Sequence, residues 1–131
     1  MRRPNAPSPS SEKRLTGIAL IVQHNIMTAL EIEALLQDVG IETCFLAATV
    51  ETALQGLESN DIAFAVVDTN LGQETSEAVA NALLERQVPF IFTTNFDDDI
   101  NLTKHFPGAP VLAKPLRETL LYQTLAKLGI M

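Results

Sequence analysis

The stretch Ile62-Ala63-Phe64-Ala65-Val66-Val67-Asp68 decides how this chain is read. Six consecutive apolar residues read as a strand buried on both faces, the kind found inside a parallel sheet. A carboxylate at the mouth of such a strand is placed for chemistry rather than for solubility. Three other apolar runs also lead into polar residues: Ile18 to Val22 into Gln23-His24, Pro89-Phe90-Ile91-Phe92 into Thr93-Thr94, and Val111-Leu112-Ala113 into Lys114. If the four runs are neighbouring parallel strands, those polar ends share one rim.

Amphipathic stretches separate the runs. Ala29, Ile32, Leu35, Leu36 and Val39 fall at helical spacing, and Gly40 is a natural stop. Residues 41–46 then predict a second strand. Thr49 can cap a second helix whose Val50, Ala53, Leu54 and Leu57 form one stripe. After the strand ending at Asp68, Gly72 marks a loop, and Thr75 or Ser76 can cap a third helix with Val79, Ala82 and Leu83 inward. Residues 88–92 predict the fourth strand, with Pro89 tolerable near its start. Asp97-Asp98-Asp99 suits the start of a short fourth helix, which Pro107-Gly108 ends. Residues 111–113 form the fifth strand and 116–128 the fifth helix, with Leu121, Leu125 and Leu128 on one face.

Strands alternating with helices predict an α/β fold: a three-layer αβα sandwich around a five-stranded parallel sheet. Right-handed crossovers favour the flavodoxin-like order 2-1-3-4-5, which sets strands one and three side by side at the topological switch point. Gln23, His24, Asp68, Thr94 and Lys114 all lie at the carboxyl ends of strands, where such sheets build their sites.

The 131 residues suffice for one domain. We expect a flexible tail over 1–15, with Pro4, Pro7 and Pro9, ahead of a domain over 16–131. No stretch approaches the roughly 20 apolar residues that span a bilayer, and the start of the chain has no secretory apolar segment, so no membrane association and a cytoplasmic location are expected. A net charge of −7 argues against nucleic-acid binding, and Arg2, Arg3, Lys13 and Arg14 read as solubilising. Cys44 is the single cysteine, which excludes an internal disulfide; it reads as a buried filler.

An aspartate, a hydroxyl and a lysine meeting at a strand rim suit phosphoryl chemistry. A carboxylate can accept a phosphoryl group as an acyl phosphate; an ammonium and a hydroxyl can then bind its oxygens. In "AVVDTNLG" around Asp68, "PFIFTTN" around Thr94, "VLAKPL" around Lys114, and their spacing, the chain resembles the receiver domains of bacterial two-component response regulators over about residues 16 to 129. "NLGQETS" followed by "PFIFTT" is similar to stand-alone receivers. The resemblance implies a phosphorelay switch rather than an enzyme. By that resemblance Asp68 would be the phosphoacceptor, Thr94 the switch hydroxyl and Lys114 the phosphoryl contact. It also implies a cis Lys114-Pro115 bond, Mg²⁺ held by Asp68 and the backbone carbonyl of Asn70, and a histidine kinase or histidine phosphotransferase as donor. Output would pass through a downstream protein, or through a homodimer on the face of the fourth helix, fifth strand and fifth helix.

The chain departs from that pattern where receivers carry two acids for Mg²⁺: here stand Gln23 and His24. Neither brings negative charge, and imidazole suits a hard cation poorly, so the Mg²⁺ site is expected to be weak or lost. Asn95 stands where a small residue is usual, and Val111 where an aromatic is common. The alternative is a pseudo-receiver, an interaction module that signals without phosphorylation. A nucleotide- or flavin-binding enzyme is disfavoured, because no glycine follows the first strand in Gln23-His24-Asn25-Ile26-Met27. His24 reads as a polar rim residue, and His105 as surface loop.

Overall fold

The computed structural model describes residues 17–95 and 101–130. The expected tail and the aspartates at 97–99 lie outside them. The described elements are β1 (Ile18–Val22), α1 (Ile26–Asp38), β2 (Thr43–Ala47), α2 (Val50–Ser59), β3 (Ile62–Asp68), α3 (Glu77–Glu85), β4 (Phe90–Thr94), α4 (Asn101–Lys104), β5 (Val111–Ala113) and α5 (Glu118–Lys127). The sheet is parallel throughout, in the order β2-β1-β3-β4-β5, as the alternation predicted. None of the described helices is long and apolar enough to cross a membrane.

Both faces of the sheet are buried, because successive side chains on each strand point to opposite sides. Ala19, Ile21, Phe64, Val66, Ile91 and Leu112 pack against α1 and α5. Leu20, Val22, Ala65, Val67, Phe90 and Phe92 face the other way, toward α2 and α3. On that second side Phe90, Phe92 and Phe106 meet edge to face, with centroids 5.4 to 6.1 Å apart. This seats the segment between α4 and β5 on the sheet.

β2 and β4 each begin two residues later than the hydrophobic pattern suggested, for one shared reason. α1 and α3 end in the same reverse turn. After α1, Gly40 takes a positive φ of 109°, its N–H bonds to Gln37 O, and the Ile41 N–H bonds to Leu36 O at 3.0 Å. Ile41 is thereby turned into the core beside Leu36 instead of starting the strand. After α3, Gln87 takes the positive φ, 59°, and the Val88 N–H reaches Leu83 O at 2.9 Å. α5 closes likewise through Gly129 and Ile130, and spans Glu118–Lys127 rather than the full 116–128.

A side chain at Gln87 holds a conformation that glycine adopts without steric cost. Gln87→Gly is therefore expected to stabilise the fold by about 0.5–1 kcal/mol, read as a rise in the thermal midpoint.

Helix starts follow the caps only in part. Thr49 accepts from Thr52 N, as expected for α2. Asn25, not foreseen as a cap, accepts from Met27 N and Thr28 N at the start of α1. Of the two candidates for α3, Ser76 occupies the cap position, but its hydroxyl is buried without a partner and makes no cap bond, while the Thr75 hydroxyl accepts from the Glu77 N–H at 3.5 Å. Of the three α3 positions expected inward, Val79 and Leu83 are buried and Ala82 is only half-buried. Cys44 is half-buried on β2. Burial, with Glu33 nearby, pushes its thiol up to about 11, which leaves it a packing group.

Candidate functional site

The register of the sheet assembles the rim. Val22 is paired with Val67, so Gln23 and Asp68 emerge side by side from β1 and β3. Asp68 is paired with Thr93, and Thr94 with Ala113, just before Lys114. The Lys114 N–H bonds to Thr94 O at 2.8 Å, and the Lys114-Pro115 bond is cis.

Asp68 is the centre of the arrangement. Its side chain is 1% exposed, and both of its oxygens accept hydrogen bonds. Oδ1 accepts from the Asn70 N–H at 2.8 Å. Oδ2 forms an ion pair with the Lys114 ammonium and accepts from Gln23 Nε2 at 2.7 Å. The Gln23 amide oxygen in turn accepts from the Asn25 N–H at 3.1 Å.

Strand alternation separates Thr94 from this group. It shares a face of β4 with Phe90 and Phe92, whereas Asp68 follows Phe64 and Val66 on the opposite side of the sheet. The Thr94 hydroxyl donates to Asn95 O at 3.1 Å and accepts from Thr69 Oγ1 at 3.5 Å. The structure thus brings Asp68, Lys114, Gln23 and the Asn70 backbone into contact, and holds Thr94 next to them in a separate hydroxyl chain.

A cleft of about 770 Å³ opens over the rim, lined there by His24, Asn70, Gly72, Asn95, Lys114 and Pro115, and it continues along α1. His24 is exposed, and its ring lies against Gly72, where a Cβ would come within 3.2 Å of the imidazole. Gly72 has a φ of 86°, and its N–H bonds to the Asn70 side-chain oxygen at 2.9 Å. Gln23 as a partner of Asp68, and Thr69 as a partner of Thr94, were not singled out from the sequence. The available signal was adjacency, since Gln23 follows the strand that neighbours β3.

The donor set does not suit Mg²⁺. This cation seeks near-octahedral oxygen ligands and usually takes carboxylates. Among the described residues the rim offers Asp68 alone among carboxylates, and Gln23 turns an N–H rather than its oxygen toward it. Among the described residues, no group of three or more His, Cys, Asp or Glu could hold a metal ion.

No family model and no curated protein matches the chain. Solved structures do. The chain is similar to SdrG from Sphingomonas melonis Fr1, with 33% identity, a TM-score of 0.76, and coverage of 88% of this chain and 98% of that one. It is also similar to a CheY-like response regulator receiver domain from Methylobacillus flagellatus (21% identity, TM-score 0.74, 86% and 98% covered). A third structure is the receiver domain of the sensor histidine kinase PA1611 from Pseudomonas aeruginosa PAO1, which has a magnesium ion coordinated in its active-site cleft (19% identity, TM-score 0.67, 86% and 96% covered).

Proposed function

Because the chain belongs to the family of response regulator receiver domains, we propose that it is a single-domain switch of a two-component phosphorelay, with Asp68 as the phosphoacceptor. The observation that carries this reading is the direct pairing of the Asp68 carboxylate with the Lys114 ammonium at the carboxyl end of the sheet. After transfer, the same ammonium stands ready to bind the new phosphoryl oxygens. Transfer from a histidine kinase or histidine phosphotransferase forms one P–O bond at Asp68 and breaks one P–N bond, whose electron pair stays with the donor's imidazole. Ile26 and Met27, exposed at the start of α1 beside the cleft, offer such a donor an apolar contact. Val111 and Tyr122, exposed on β5 and α5, offer a downstream protein or a second copy another. Thr94 is the hydroxyl that would leave Asn95 for the phosphoryl group.

The test is incubation with acetyl phosphate, with and without Mg²⁺, followed by intact mass. Wild type is expected to gain one phosphoryl group and Asp68→Asn none. If both stay unmodified and no beryllofluoride complex forms, the phosphoacceptor reading is lost.

A second reading draws support from the burial of Asp68 and the engagement of both its oxygens. In it the protein is a pseudo-receiver that binds partners in one fixed conformation. It requires that Asp68→Ala, folded, retain partner binding. Loss of binding in that variant returns the case to phosphorylation.

A further inference from the structure

We infer that the Gln23 carboxamide is a built-in latch that takes the place of a divalent cation at Asp68, so that the rim of this chain takes up no Mg²⁺. The inference rests on the receiver reading only for the identity of the displaced cation.

The hydrogen-bond polarity of the amide is forced. A backbone N–H can only donate, and a carboxylate can only accept. The Asn25 N–H must therefore meet the Gln23 oxygen, at 3.1 Å, and the carboxylate of Asp68 must meet the nitrogen, at 2.7 Å. The reverse orientation would set oxygen against carboxylate and N–H against N–H. A cation approaching Asp68 would thus face an N–H group at the Gln23 position. To gain that oxygen as a ligand, the amide would have to turn over, giving up both bonds at once. Gln23 is 4% exposed and Asp68 1%, and an unmet buried polar group is costly.

Charge leads to the same conclusion. Asp68 and Lys114 form a pair of net charge zero, and an amide adds hydrogen bonding without adding charge. Acids at positions 23 and 24 would crowd negative charge against Asp68 and call for a cation; Gln23 and His24 do not. The latch also ties three elements together, because Asn25, which anchors Gln23, caps α1 with its own side chain. Gln23 is thus a positioning residue that holds Asp68 against Lys114, both meeting Oδ2.

The experiment is an Mg²⁺ titration of the full chain at constant ionic strength, followed by amide NMR shifts at Asn25 and Asn70 and by thermal melting. Wild type is expected to show no saturable response up to about 20 mM, a range that covers the millimolar sites of weak oxygen-ligand sets. Gln23→Asp and Gln23→Glu restore a carboxylate and are expected to gain saturable binding. Their midpoint should rise by roughly 5 °C at ten times Kd. Saturable binding by wild type overturns the inference, as do folded acidic variants that respond no more than wild type. If neither acidic variant folds, Gln23→Ala decides. A lowered midpoint that Mg²⁺ does not restore supports the latch, and a midpoint equal to wild type overturns it. None of these readouts involves phosphorylation, so this inference and the phosphoacceptor reading can fail separately.

Discussion

Lys114→Ala is expected to destabilise the fold by about 3–5 kcal/mol at neutral pH, the cost of leaving one partner of a buried ion pair uncompensated. An exposed pair would predict about 0–1 kcal/mol, so exposure decides which range applies. The Lys114 side chain is 14% exposed and that of Asp68 1%, so the pair is part-buried, and truncation leaves the buried member, the carboxylate, without its cation. The two remaining donors, Gln23 Nε2 and the Asn70 N–H, supply hydrogen bonds but no full positive charge. Urea melts check the value, and a double-mutant cycle with Asp68→Asn separates the pair from the loss of the lysine stem. The double variant should cost clearly less than the sum of the singles. A single-variant loss under 1 kcal/mol would mean that Asp68 is hydrated in solution.

Leu36→Ala and Val66→Ala are each expected to cost about 2–4 kcal/mol through lost apolar burial and the cavity left behind. Leu36 is fully buried and Val66 1% exposed, both in the layer between the sheet and α1 and α5. The denaturation midpoint should fall with an unchanged slope. Unaltered melts in both variants would mean that this layer is not packed as described.

The layer architecture was legible because burial on both faces removes alternation from the strands. Runs such as 18–22 and 62–67 can then hardly be read otherwise, and β1 begins and ends where the run does. The starts of β2 and β4 were not legible, because Ile41 and Val88 are apolar for a different reason: each plugs the end of the preceding helix. Gly40 announced that turn, but nothing in its residue type marked Gln87 as its counterpart after α3. Ser76 takes the cap position of α3, but its hydroxyl is buried without a partner instead of bonding a backbone N–H, which its residue type did not announce.

The rim divides in the same way. Chain order and parallel topology suffice to bring the ends of β1, β3, β4 and β5 to one edge, and so Asp68 and Lys114 to one rim; that Lys114 reaches across β4 to the carboxylate is tertiary. Which face each residue takes was hidden, and alternation at the last residue of β4 hands the Thr94 hydroxyl to Thr69 and Asn95 in a chain beside the Asp68 group. The direction of the Gln23 amide was hidden too. It is set by a backbone N–H two residues ahead and by a carboxylate 45 positions away, and the polarity of a hydrogen bond between distant residues exists only once the chain has closed around them.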